Sequence, residues 1–135
     1  KDGFSIYTEL NNHPVMAQNI YPLRLYLKHL PHAVMNGAAL LLNAAIWVEL
    51  LSQIQPQVEP IFLHYNILFG VDYIGEWWRV LFLPLGGLII LLVNASLGWL
   101  LFQKDKFVGY ILEAVAILCQ ILLLIAAFLL VFLNV

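Results

Sequence analysis

Glu113 is the residue whose type and position are best suited to chemistry. It is the only charged residue between Phe107 and Val135, and a carboxyl at membrane depth is costly enough to mark a site. Three roles are open to it: a neutral acid making a structural hydrogen bond, a step in a proton or ion relay, or a contact to a partner subunit. A relay needs a second ionisable group at similar depth. Glu49 lies towards the far end of another apolar run, which disfavours that role. Asn36 and Ser96 are expected near the level of Glu113.

A second group of chemically capable residues falls between Gln55 and Arg79. His64, Asn66, Gly70 and Asp72 form a binding candidate there, with Glu59 and Glu76 nearby. Their spacing fits no established metal-ligand pattern. Asp72 reads as an N-cap for the helix that follows. His29 and His32 are expected at an interface, and no His falls mid-membrane where haem would need an axial ligand. There is no Cys/His metal pattern, Gly-rich phosphate loop or Ser/His/Asp set. The lone Cys119 excludes a disulfide within the chain and reads as a packing residue. No catalytic residue, metal or cofactor is expected, and no basic patch points to nucleic acid.

The elements that position these residues are apolar runs. The 135-residue chain is 63% hydrophobic and only 10% charged, against about 25% charged for soluble domains. Val80 to Phe102 carries no charge and is long enough to cross a hydrocarbon core of about 30 Å. Ala33–Ile54 and Phe107–Val135 resemble it, each with one acid. The expected class is an all-α membrane protein of three transmembrane helices, at about 33–54, 77–102 and 107–135. An ordered outer loop (55–76) and a cytoplasmic flank (1–32) complete it.

Alternating crossings put Lys1, Arg24, Lys28, Lys104 and Lys106 on one side and only Arg79 on the other. The positive-inside rule then sets the N-terminus in the cytoplasm and the C-terminus outside a bacterial inner membrane. Lys1 is expected to follow a missing cytoplasmic start. Asn11 to Pro14 reads as a turn. Pro22–Leu30 favours a basic amphipathic helix on the membrane surface, although Leu23, Leu25 and Leu27 also alternate like a strand.

Within the spans, small residues (Gly37, Ala38, Ala39, Ala44, Ala45) permit close helix approach, Pro84 predicts a kink, and Gly86 and Gly87 after it make a thin place that a neighbour could fill. Gly109, Glu113, Ala116 and Gln120 share one stripe, as do Gly87, Asn94 and Gly98. Asn43, Asn94 and Gln120 are expected at one level near the midplane. Amides in lipid have nothing else to bond, so the expectation is a polar layer that pins the bundle. Glu49 is expected to reach water or Arg79.

The order His64-Tyr65-Asn66, Gly70, Asp72, Gly75 after Pro60 resembles the loop of a domain of unknown function found in bacterial membrane proteins, including Sdp-type toxin-immunity proteins. An extra residue before Gly70 and a missing Lys depart from that pattern. The topology is similar to small three-span proteins encoded by uncultured bacteria. The resemblance implies no enzyme activity and gives His64 and Asn66 a role in binding an extracytoplasmic ligand. The leading functional expectation is a non-catalytic accessory or scaffold subunit embedded in the lipid bilayer with other membrane subunits. An autonomous binding protein using residues 64–75 comes next, and a carrier using Glu113 last.

Overall fold

The computed structural model describes residues 21–135, so the expected turn at Asn11–Pro14 and the rest of residues 1–20 lie outside the described residues. The Pro22–Leu30 ambiguity resolves as a short helix, α1 (Leu23–Lys28), with Pro22 at its N-cap position. Proline fits this place because its missing N–H has no intrahelical partner there. The leucines of α1 stay exposed while Tyr26 is buried, so this helix is anchored by its one aromatic residue.

Three helices are long and apolar enough to cross a membrane. The first is α2 (Leu30–Gln53), which begins three residues ahead of the expected Ala33 because Pro31 lies in its first turn. The second opens with a 3-10 turn (Trp77–Leu81) that continues into α3 (Phe82–Leu101). Pro84 therefore lies in the first turn of α3, where a missing N–H costs little. The irregular backbone falls upstream of it. The third is α4 (Lys106–Asn134), opened by Asp105, whose side chain accepts the Phe107 N–H.

The all-α expectation fails between Pro60 and Glu76. Ile61–Asn66 (β1) and Gly70–Gly75 (β2) pair as an antiparallel hairpin, with the register shifted around Leu63. Gly70 takes φ +75°, a conformation that closes a short turn without a Cβ clash. Asn66 Oδ1 accepts the Leu68 N–H and braces the same turn. The hairpin is fastened to the end of α4, where Asn134 exchanges two hydrogen bonds with the backbone of Phe62, at 2.8 and 2.7 Å. Ile61 reaches into an apolar cluster of Ile46, Leu50, Ile54, Val80 and Ala127.

α4 is the common wall against which α2 and α3 both pack. Buried positions in α2 (Ala39, Asn43, Ile46, Leu50) and in α4 (Gly109, Glu113, Ala116, Gln120) recur at spacings of three and four, the period of a coiled-coil seam. Asn36 meets Glu113 and Asn43 meets Gln120, both across 77 residues of sequence. α2 and α4 therefore run parallel in one register, with α3 antiparallel to both. Gly98 and Gly109 bring α3 and α4 close together, since a Cβ on Gly109 would lie 3.6 Å from the Gly98 carbonyl oxygen.

Replacing Asn134 by Ala is expected to loosen the hairpin but not the bundle. Hydrogen–deuterium exchange should show faster exchange across Ile61–Asn66 and unchanged protection in α2 and α4.

Candidate functional site: a buried polar seam and an outer cleft

The seam begins where α1 turns back towards the bundle. Tyr26 donates its O–H to Glu113 Oε1 at 2.8 Å, and Asn36 Nδ2 donates to the same oxygen at 2.7 Å. His32 Nδ1 lies 2.7 Å from both carboxyl oxygens. Glu113 thus accepts from three side chains on two elements, with His32 and Glu113 fully shielded from solvent. Burial, and then the hydrogen bond to Glu113, push the Tyr26 phenol upward, which keeps it an O–H donor. Tyr110 stacks on His32 at 4.4 Å and Phe102 meets the ring edge-on at 5.1 Å. With Nδ1 committed to Glu113, His32 Nε2 is buried without a partner.

His32 is the residue that sequence reasoning misplaced. The interfacial expectation came from its position near the end of an apolar run. Its burial depends on α1 folding over it and on Gly109 leaving room beside its ring, where a Cβ would come within 3.5 Å of Cε1. It also supplies the ionisable neighbour that Glu113 seemed to lack. Asn36 lies at the level of Glu113, as expected, and His32 precedes it by one helical turn on the same face; nothing in the sequence joins Tyr26 of α1 to them.

About two turns further along the seam lies an amide layer. Asn43 Nδ2 donates to Gln120 Oε1 at 3.1 Å and to the Pro84 carbonyl at 2.9 Å, while Gln120 Nε2 donates to the Gly87 carbonyl at 2.7 Å. Gly87 is required here: a Cβ on it would lie 2.8 Å from both amides. Asn94, expected as the third member, is not in this layer. It is half-buried and donates to the Ile90 carbonyl of its own helix at 3.0 Å. α3 contributes backbone carbonyls to the layer instead, because glycine at 87 exposes them. Ser96 is likewise exposed and bonds the Leu92 carbonyl within its own helix.

The outer-loop candidates fall on the hairpin. His64 and Asp72 pair across the strands through His64 Nδ1 and Asp72 Oδ1, so Asp72 is a strand residue and not the expected N-cap. Glu76 precedes the 3-10 turn without a side-chain cap. Asn66 and Gly70 build the turn. Arg79 donates to the Tyr73 hydroxyl and lies 4.0 Å from Glu76; it does not pair with Glu49. Among the described residues, no three His, Cys, Asp or Glu side chains group closely enough to hold a metal. A cleft of about 680 Å³ opens below the hairpin between α3 and α4, with His64, Tyr73 and Arg79 at its mouth.

No protein-family model, curated protein or solved structure matches this chain.

Two substitution pairs test the seam. Glu113→Ala is expected to destabilise the bundle by about 3–5 kcal/mol, as for a buried pair losing one member. Glu113→Gln should cost less because it retains an acceptor for Tyr26 and Asn36. Gly87→Ala should cost about 1–3 kcal/mol by overpacking, whereas Gly86→Ala, with nothing within 4 Å of its Cβ position, should be neutral or stabilising. Thermal melting in mild detergent reads all four.

Proposed function

We propose that this chain is a non-catalytic integral membrane protein that serves as an accessory or scaffold subunit of a larger membrane assembly. The proposed setting is the bacterial cytoplasmic membrane, with Arg24, Lys28, Lys104 and Lys106 on the cytoplasmic side and the hairpin outside. Tyr26, His32 Nδ1, Asn36, Glu113, Asn43 and Gln120 are hydrogen-bonded within the seam, which favours a fastening role. A carrier is disfavoured by what lies beyond Gln120: Ile46, Leu50, Ile54, Val80 and Ala127 fill the outer half of the interior, and a proton held at Glu113 has no further station there.

The observation that carries this reading is the hairpin tip. Ile67, Leu68 and Phe69 are 89, 80 and 80% exposed on a hairpin whose base is fixed by Asn134 and Ile61. A contiguous apolar tip held out on a braced support marks an interaction surface. A second reading, an immunity-type protein binding an extracytoplasmic ligand through residues 64–75, is favoured by the cleft beneath the same hairpin.

A photocrosslinking side chain at Leu68 is expected to give one discrete protein adduct in the native membrane. Leu68→Ser with Phe69→Ser should release that partner while leaving the melting temperature unchanged. Adducts to lipid alone would place the tip in the bilayer interface and remove the subunit reading.

A further inference from the structure

The cleft below the hairpin has a graded chemistry that identifies its occupant. Its mouth carries the cation of Arg79, the Tyr73 hydroxyl and His64, while its walls are apolar down to Ile90 on α3 and Leu123 on α4. The acids of this region are engaged beside the mouth and not among its lining residues: Asp72 is paired with His64, and Glu76 accepts from Trp78 Nε1 at 2.8 Å and lies 4.0 Å from Arg79 Nε. Arg79 retains guanidinium donors beyond the one given to Tyr73. From Arg79 to Ile90 the helix descends roughly 16 Å at 1.5 Å per residue, about half of a 30 Å hydrocarbon core. The cleft is therefore one leaflet deep.

Gly86 lies in its wall, and a side chain added there would project into open space. A second cleft of about 710 Å³ adjoins it along α4 and shares Leu63, His64, Leu83 and Leu130 with the first. Two apolar furrows meeting under one polar mouth match a headgroup with two chains.

We propose that the Arg79–Tyr73–His64 mouth and the Gly86 hollow bind one anionic phospholipid of the outer leaflet, its phosphate at Arg79 and its acyl chains in the two furrows. This deepens the second reading above, naming a lipid as the ligand under the hairpin, and is independent of the subunit role at the hairpin tip. A charge-assisted bond from a guanidinium to phosphate supplies selectivity at the mouth, and the apolar walls supply retention.

Native mass spectrometry of the full chain, delipidated in mild detergent and titrated with phosphatidylglycerol or phosphatidylcholine, tests it. The expected result is one retained phosphatidylglycerol per chain, preferred about tenfold, the factor of one such bond. Arg79→Gln should abolish the preference and Arg79→Lys should restore part of it. Gly86→Leu, which fills the hollow, should abolish retention of both lipids while the thermal melt stays that of the wild type. Equal retention of both lipids, insensitive to Gly86→Leu, would mean ordinary boundary lipid and overturn the proposal. Displacement of the lipid by millimolar inorganic phosphate would reduce the site to an anion contact and overturn it as well. Because Leu68 and Phe69 are untouched, partner release and lipid loss are separate readouts.

Discussion

A buried carboxyl in apolar surroundings has only the protein to bond, and the structure depends on how Glu113 meets that constraint. Hydrocarbon offers it neither donors nor a high dielectric. Tyr26, His32 and Asn36 close around it, and in doing so they fix the height of α2, the return of α1 and the rotation of α4. Asn43 and Gln120 repeat the device one heptad further on. Apolar packing alone would tolerate sliding between two such helices. Two polar pairs at the same 77-residue offset do not, because a slip of one residue unpairs both. Each amide bond contributes only about 0.6–2 kcal/mol between helices in lipid, so register is the larger gain.

The two ends of the bundle consequently have different characters. One end is held by hydrogen bonds around Glu113 and by Trp99, whose indole N–H donates to the Tyr21 carbonyl. The other is held by apolar contact among Ile46, Leu50, Ile54, Ile61 and Val80. Among the described residues, the hydrogen bonds of the seam involve no hairpin residue, and the hairpin meets the bundle through Asn134 and the apolar cluster.

What the sequence made legible follows from the range of each interaction. The three long apolar helices, the shared stripe of Gly109, Glu113, Ala116 and Gln120, and the start of α1 at Pro22 are local patterns, and each is present. The hairpin was legible only as an ordered loop over 55–76, because its two strands pair only once Gly70 turns the chain back. Asn94 misled because helical position fixes a face and a height but not what opposes it. Glycine at 87 hands the layer's third place to backbone carbonyls. His32 was illegible because its burial is made by α1 and α4, which approach it from 6 and 77 or more residues away.

The order of the three helices along the chain carries a consequence for biogenesis. α2 and α3 precede α4 in synthesis, yet the side-chain acceptors of Tyr26, His32, Asn36 and Asn43 all belong to α4. Until Glu113 and Gln120 arrive, Tyr26 and His32 lack their acceptor, and Asn36 and Asn43 have only the backbone carbonyls of His32 and Pro84. The register of α2 is thus completed only when α4 joins the bundle.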